Sequence, residues 1–246
     1  MTTYVLVHGG FTDSWYWGET AALLERDGHR VLLVELPSTG TDPATLGGLV
    51  EDAAETRRVI DSAGEPVVLV GHSSGGMVIT EVADHPGIAH TVYVSAMWPQ
   101  RGAAVGDVLA QMPPMEWTVP NSDGTAVAVT SDVEVAHRYL CADLDPARVP
   151  EWHAGLMFSG TRGMATPSSA PDRAHPTTYV VLEQDRAIPV QAQEAMATGA
   201  DRIERLGTGH VPQLTDPDGL AAVLARVPVP ARPSIPVNAA AGNAGG

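Results

Sequence analysis

The chain has 246 residues, of which 44% are hydrophobic, enough for one domain with a sizeable core. Its formal net charge of −15 argues against nucleic acids and anionic membrane surfaces as partners, because like charges repel. All 14 basic residues are arginine, and the absence of lysine excludes Schiff-base chemistry, a pyridoxal-phosphate anchor and a Walker-type phosphate loop.

Apolar runs typical of buried strands alternate with helical patterns along the chain. The predicted strands are Tyr4–Val7, Val31–Glu35, Val67–Val70, Thr91–Ser95, Thr178–Leu182 and Ile203–Leu206. The predicted helices of the core are Ser14–Asp27, Ala44–Ala63, Ser74–Asp84, Val190–Ala197 and Asp218–Arg226. The apolar spacing of the second helix predicts one buried stripe made of Leu46, Leu49, Val50, Ala53 and Ile60. This alternation predicts an α/β fold with a mostly parallel sheet of about six strands and helices on both faces.

The third predicted strand runs directly into a Gly-x-Ser-x-Gly motif at residues 71–75, and helix-compatible residues follow at once. A strand–turn–helix transition with a serine at its apex is a nucleophile elbow. The turn lifts the serine hydroxyl away from the sheet, where a base can remove its proton. Gly71 and Gly75 stand where the strand and the helix pass too closely for side chains. The motif therefore predicts Ser73 as a catalytic nucleophile.

A serine nucleophile needs a histidine as its base and a carboxylate that orients the histidine ring. Of the nine histidines, only His210 lies in a glycine-rich loop just after the last predicted strand, so we predict it as the base. Asp185 follows the carboxyl end of the fifth strand, at the same edge of the sheet as Ser73, and is the predicted acid. Glu183 lies two positions earlier and is the alternative acid.

An acyl-transfer reaction also needs backbone N–H donors for the developing oxyanion. The first predicted strand ends in a His-Gly-Gly-Phe turn at residues 8–11, which can aim one such donor at the nucleophile. We expect the amides of Gly10 and Ser74 to form the oxyanion hole, with Phe11 as the alternative first donor. His8 is expected to be a structural residue.

Residues 98–176 separate the fourth and fifth predicted strands and are too many for a simple crossover. We expect a core of residues 1–97 and 177–227, with residues 98–176 forming a helical cap over the binding site. The cap has predicted helices at Ser131–Leu140 and Asp145–Met157 and is rich in methionine and tryptophan, some of which should pack within the cap itself. The predicted substrate-contacting residues are Phe11, Trp98, Met112, Trp117, Trp152, Met157 and Val211. Residues 228–246 are predicted to form a disordered tail.

With these residues placed, the chain resembles the α/β-hydrolases, and within them the plant methylesterase and hydroxynitrile lyase group with its bacterial esterase relatives. The segments that carry the likeness are residues 4–10, 27–31, 39–42 and 70–77, together with Asp185 and the Gly-His pair at 209–210. The resemblance implies an α/β-hydrolase fold with Val31–Glu35 at one edge of a six-stranded parallel sheet, beside Tyr4–Val7. It also implies a triad of Ser73, Asp185 and His210, without a cofactor or a metal.

Two departures within that group favour its esterase branch. The hydroxynitrile lyases carry a threonine just after the histidine of the first turn and a lysine just after the catalytic histidine. Here those positions are Gly9 and Val211, so the chain has no ammonium group there to stabilise a leaving cyanide. Cys141 ends the Tyr-Leu-Cys segment at residues 139–141, which is similar to the cap of the group, and we expect it to be a buried cap residue rather than a second nucleophile.

The sequence thus predicts a serine hydrolase that cleaves a carboxylic ester, thioester or lactone of a small, mainly apolar substrate through an acyl-enzyme on Ser73. One alternative uses the same site for cyclisation, elimination or other non-hydrolytic acyl chemistry. Another is a catalytically silent ligand-binding protein. The single cysteine and the lack of a leader-like or membrane-spanning stretch lead us to expect a cytoplasmic protein. The expected partner is a small ester-type molecule, and the sequence leaves a homodimer open.

Overall fold

The computed structural model describes residues 1–110 and 112–228. Within them, the strands are β1 (Thr3–Val7), β2 (Arg30–Val34), β3 (Thr39–Gly40), β4 (Val67–His72), β5 (Ile88–Val94), β6 (Thr118–Pro120), β7 (Ala126–Val129), β8 (Phe158–Gly160), β9 (Thr177–Leu182) and β10 (Arg202–Leu206). The helices are α1 (Gly18–Arg26), α2 (Leu49–Ala63), α3 (Gly75–Glu81), α4 (Val105–Leu109), α5 (Val133–Leu140), α6 (Val149–Ala154), α7 (Val190–Ala197), α8 (Pro212–Thr215) and α9 (Pro217–Ala225). Short 3-10 turns occur at Ser14–Trp17 and Pro43–Thr45. From residue 229 onward, the predicted disordered tail lies outside the described residues.

The central sheet has six strands in the order β10-β9-β5-β4-β1-β2, and all neighbouring strands are parallel. This confirms the predicted parallel sheet, and β2 lies at the edge beside β1 as the resemblance implied. The chain leaves β1 in one direction to form β2 and returns on the other side of β1 to form β4. Ligands of open α/β sheets bind at the carboxyl ends of the strands, where the strand order reverses in this way. The turn after β1 and the elbow after β4 therefore meet at that point.

Helices cover both faces of the sheet. Successive side chains of a strand point to opposite faces, so the apolar strands make both faces apolar, and both need cover from water. On one face, Val5, Leu69 and Tyr93 belong to a buried cluster that includes residues of α2, α3 and α7. On the other face, Leu6 and Val70 pack with residues of α1 and α9. Strands that are buried on both faces need apolar residues at successive positions, which explains their continuous apolar runs.

The structure corrects two of the predicted helices. The helix expected from residue 44 begins only at Leu49, after the 3-10 turn at Pro43–Thr45 and a glycine pair. Val50 is 69% exposed, so its place in the predicted buried stripe was wrong. The helix expected at Asp145–Met157 is limited to Val149–Ala154. The described residues contain no helix with the length and apolar character needed to cross a membrane.

A second, smaller sheet was not predicted from the sequence. It is antiparallel, with the strand order β3-β8-β7-β6, and three of its strands lie in the segment 98–176 that was expected to be helical. Its strands have two to four residues each, too few for an alternating pattern to stand out. Helices α5 and α6 pack beside it around Trp117 and Trp152. Residues 98–176, called the cap below, therefore contain both strands and helices, and β3, in the loop that follows β2, pairs with their strand β8.

Candidate active site

Ser73 occupies the sharp turn between β4 and α3 in a left-handed backbone conformation, with φ of +53°. This conformation is unfavourable for a residue with a side chain, and close packing on both sides maintains it. A Cβ on Gly71 would lie 2.7 Å from Ile79, and one on Gly75 would lie 2.4 Å from the carbonyl oxygen of His8. The glycines of the motif therefore allow the helix to approach β4 and β1 closely.

His210 and Asp185 stand in line with the hydroxyl of Ser73. His210 Nε2 is 3.0 Å from Ser73 Oγ, and His210 Nδ1 is 2.7 Å from Asp185 Oδ2. The aspartate can only accept, so Nδ1 carries the proton and Nε2 is free to accept the serine proton. The structure brings together the three residues that the sequence singled out, in the geometry of a nucleophile, a base and an orienting acid.

The carboxylate of Asp185 is buried and held by four hydrogen bonds. Its Oδ1 accepts from the amides of Ala187 at 2.8 Å and Ile188 at 2.9 Å. Its Oδ2 accepts from Ser95 Oγ at 2.6 Å as well as from His210. The alternative acid, Glu183, is exposed and lies 3.8 Å from Arg205. The structure therefore favours Asp185 over Glu183 as the partner of the base.

The side chains of His72 and Asp143 help to hold the loop that carries His210. The Nε2–H of His72 donates to the carbonyl oxygen of His210 at 2.7 Å, and Asp143 Oδ2 accepts from the amide of Gly209 at 2.8 Å. Burial, followed by the repulsion of the neighbouring His210, holds the pKa of His72 well below its ordinary value. His72 therefore stays neutral and keeps its donor role at physiological pH.

The turn after β1 lies directly against the elbow. A Cβ on Gly9 would lie 2.8 Å from Ser73 Cβ, and one on Gly10 would lie 3.3 Å from Ser74 Oγ. Gly10 and Ser74 both line the cavity in front of Ser73. The amide of Phe11 instead donates to Ser159 Oγ at 2.8 Å, so this alternative donor already has an acceptor. The geometry favours Gly10 and Ser74 as the oxyanion donors.

His8, at the start of the same turn, has a structural position. Its Nδ1–H donates to the carbonyl oxygen of Gly9 at 2.8 Å, and its Nε2 accepts from the amide of Leu36 at 3.1 Å. Burial lowers the pKa of this ring, which agrees with a neutral imidazole that connects the turn to the loop after β2.

A mainly apolar cavity opens in front of the triad, between the sheet edge and the cap. Of the predicted substrate-contacting residues, three line it: Phe11, Trp117 and Val211. The structure also places residues there that were not among the predicted substrate contacts. They come from the core and from the cap and include Leu36, Leu49, Met77, Val105, Leu109, Met115, Leu156 and Met164.

Four of the predicted contacts do not line this cavity, and the structure gives each another environment. Trp98 stacks on Tyr93 with ring centroids 4.2 Å apart, and Met112 packs against the core cluster on one face of the sheet. Trp152 is buried in the cap and donates its indole N–H to the hydroxyl of Tyr16. Met157 contributes a backbone hydrogen bond to the turn after β1.

One carboxyl group stands out in the cavity wall. Asp52 on α2 is 4% exposed and accepts from the amide of Ser38 at 2.9 Å. Burial raises the pKa of Asp52 to about 6, since its carboxylate is removed from water. Among the described residues, no group of three or more histidine, cysteine and acidic side chains is arranged to hold a metal ion.

Several supporting residues escaped the sequence analysis. Ser95 donates to Asp185, His72 and Asp143 hold the His210 loop, and Ser159 contacts the turn after β1. A polar residue at the carboxyl end of a core strand could have indicated Ser95, and the position of His72 within the motif could have indicated its role. Asp143 and Ser159 come from the cap, and no local pattern points to either.

Comparison with known proteins places this geometry in context. The family model described as "Alpha/beta hydrolase family" matches residues 4–223. The chain is 38% identical over 122 residues to the carbendazim-hydrolyzing esterase of Nocardioides sp., an alignment that covers 47% of this chain and 50% of that protein. It is 27% identical to methylesterase 8 of Arabidopsis thaliana, over 89% of this chain and 86% of that protein.

The alignment to the Nocardioides esterase thus spans about half of that esterase. The alignment to putative methylesterase 11 of Arabidopsis thaliana spans 63% of that methylesterase. Among solved structures, the pyrethroid hydrolase PytH superposes with a TM-score of 0.81 at 21% identity, covering 92% of this chain and 96% of that one. At this identity the superposition establishes the fold and not the substrate.

Proposed function

The chain belongs to the α/β-hydrolase family, and on that basis we propose that it is a serine hydrolase that cleaves the carboxylic ester of a small, mainly apolar molecule. The observation that carries the proposal is the line of contacts from Ser73 through His210 to Asp185. The esterases among its relatives support the same reaction class. Thioesters and lactones present the same carbonyl chemistry and fall within the proposal.

The proposed reaction begins when His210 Nε2 takes the proton of Ser73 and the serine oxygen attacks the ester carbonyl. The amides of Gly10 and Ser74 stabilise the oxyanion, and the positive end of α3 adds to that stabilisation. The buried carboxylate of Asp185 stabilises the imidazolium that forms. The protonated His210 then donates to the leaving alcohol, and the acyl group stays on Ser73. Water activated by His210 releases the acid and restores the serine.

The cavity lining supports an apolar substrate. Its aliphatic and thioether side chains offer contact area and few directional bonds. Cys141 is fully buried, and burial raises the pKa of its thiol to about 12. A thiol of this kind stays protonated at neutral pH, so the proposal uses a single nucleophile, Ser73.

Intact-mass spectrometry after brief exposure to p-nitrophenyl acetate, butyrate and octanoate tests this proposal. We expect one acyl group per chain on the wild type and on Cys141→Ala, and none on Ser73→Ala. A fluorophosphonate probe should label the same two proteins. We expect Ser73→Ala to lower ester hydrolysis by at least about a thousandfold, since it removes the nucleophile.

Two results would contradict the proposal. A folded wild type that is neither acylated nor labelled would indicate a binding protein rather than an enzyme. Turnover that survives in Ser73→Ala but disappears in His210→Ala would indicate elimination or cyclisation driven by the histidine alone.

A further inference from the structure

The cap contacts Phe11, in the turn after β1, through two hydrogen bonds to its backbone. The amide of Phe11 donates to Ser159 Oγ at 2.8 Å, and the amide of Met157 donates to the carbonyl oxygen of Phe11 at 2.8 Å. Ser159 lies in β8, and Met157 directly precedes that strand. The cap therefore holds both peptide groups that flank Phe11.

Phe11 needs this support because its backbone is in a left-handed conformation, with φ of +65°. A residue with a β-carbon avoids this region unless its surroundings hold it there. The phenyl ring adds a third cap contact, an edge-to-face arrangement with Trp117 at 5.6 Å between ring centroids. The strained conformation is thus coupled to the position of the cap.

The residue that precedes Phe11 is Gly10, whose amide is a proposed oxyanion donor. A glycine has no side chain to restrict its rotation, so the aim of that amide depends on its neighbours. A Cβ on Gly10 would lie 2.9 Å from Ser159 Oγ, which places this hydroxyl directly beside the Gly10 backbone. Ser159 also lines the cavity in front of Ser73.

We propose that Ser159 is a positioning residue that completes the oxyanion hole from the cap. By accepting from the amide of Phe11, it fixes the peptide plane between Gly10 and Phe11. This restrains the backbone rotation at Gly10 and thereby the adjoining Gly9–Gly10 peptide, whose N–H is the Gly10 amide aimed at the oxyanion. Transition-state stabilisation then requires a docked cap, so substrate enclosure and catalysis are linked. This inference rests on the proposed ester hydrolysis at Ser73.

Steady-state kinetics on Ser159→Ala, with p-nitrophenyl butyrate as substrate, provide the first test. We expect kcat to fall on the order of 10- to 100-fold, less than the 10²- to 10³-fold typical of losing an oxyanion donor outright, with KM within about twofold. Ser159→Thr retains a hydroxyl acceptor and should recover most of the rate. Should Ser159→Ala fail to fold, Ser159→Cys serves instead, because a thiol is a weak acceptor of similar size.

Ser168→Ala is the matched control. Like Ser159, Ser168 lies in the segment 98–176 that precedes β9. Its hydroxyl also joins this segment to the core, because it donates to Glu81 at 2.9 Å. It does not line the cavity in front of Ser73. We expect its kcat to equal that of the wild type, which separates a general loosening of the cap from a specific loss at the oxyanion hole.

Inhibitor binding provides a readout that a merely structural role would not move. Butylboronic acid forms a tetrahedral adduct with the nucleophile, and butanoic acid resembles the ground-state product. In Ser159→Ala, we expect the affinity for the boronic acid to fall by the same factor as kcat, while the affinity for butanoic acid is unchanged.

Three results would overturn the inference. These are a wild-type kcat in Ser159→Ala, an equal loss of affinity for both inhibitors, and an equal kcat loss in Ser168→Ala. If the wild type itself is not acylated at Ser73, the proposed function fails together with this inference. If the wild type is acylated and Ser159→Ala is acylated equally fast, only the role of Ser159 fails.

Discussion

Replacing Asp185 by asparagine should abolish most of the activity while leaving the fold intact. Asp185 Oδ1 accepts from two backbone amides, so the carbonyl oxygen of an asparagine must take that position. The side-chain NH₂ then replaces Oδ2, which faces His210 Nδ1 at 2.7 Å and Ser95 Oγ at 2.6 Å. An NH₂ group can only donate, so the imidazole has to accept this hydrogen bond at an unprotonated Nδ1.

The neutral imidazole then carries its proton on Nε2, the atom that lies 3.0 Å from Ser73 Oγ. A protonated Nε2 cannot remove the serine proton, and the imidazolium also loses its stabilising carboxylate. In serine hydrolases such a change lowers kcat by about 10⁴-fold. At 1.36 kcal/mol per tenfold, we expect a loss of roughly 4 to 5.5 kcal/mol of transition-state stabilisation.

The assay is the rate of p-nitrophenyl butyrate hydrolysis for the wild type, Asp185→Asn and Glu183→Gln. The last variant makes the same chemical change on the exposed neighbouring carboxylate, which faces Arg205, and should retain the wild-type rate. Thermal unfolding checks that the replaced hydrogen bonds still support the fold. The reasoning is refuted if Asp185→Asn retains more than about a tenth of the wild-type kcat.

Two further predictions concern stability. In Gly75→Ala the new Cβ would lie 2.4 Å from the carbonyl oxygen of His8, and we expect thermal unfolding to show a loss of roughly 4 kcal/mol or more in the free energy of unfolding. The control is Gly18→Ala, where a Cβ would meet no atom within 4 Å, and it should unfold as the wild type does. A Gly75→Ala variant as stable as the wild type would contradict the close approach. Burial raises the pKa of Asp52 from 3.8 to about 6, so the wild type should lose up to about 3 kcal/mol of stability as pH rises between these values. Urea unfolding at pH 4 and pH 7 should show that Asp52→Asn lacks this loss. If the free energies of unfolding of the wild type and Asp52→Asn differ by the same amount at both pH values, the raised pKa of Asp52 is contradicted.

The residues of the site could be found from the sequence because each follows the carboxyl end of a recognisable strand. Ser73 follows the third predicted strand, Asp185 follows the fifth, and His210 follows the sixth and last. In a parallel sheet, all these ends meet at one edge. A pattern in single segments therefore predicted residues that the fold brings together from 137 positions apart.

The cap could not be read in the same way. Its strands have at most four residues, and its helices α4 and α6, with five and six residues, are too short for a clear apolar period. A tryptophan or methionine there gains as much from packing within the cap as from lining a cavity. Trp98, Trp117 and Trp152 thus looked alike in the sequence, and only Trp117 lies at the cavity wall.

The sequence by itself determined the order of strands and helices in the core, the sharp turn at Ser73 and the edge of the sheet where Ser73, Asp185 and His210 meet. These features depend on local backbone geometry and on hydrophobic periodicity, and both are determined by residues close together in the sequence. The tertiary structure alone decided which cap side chains face the cavity and how Ser159 reaches Phe11 across 148 positions. Such contacts depend on how separate segments dock, and one hydroxyl at a distant position leaves no pattern in the chain.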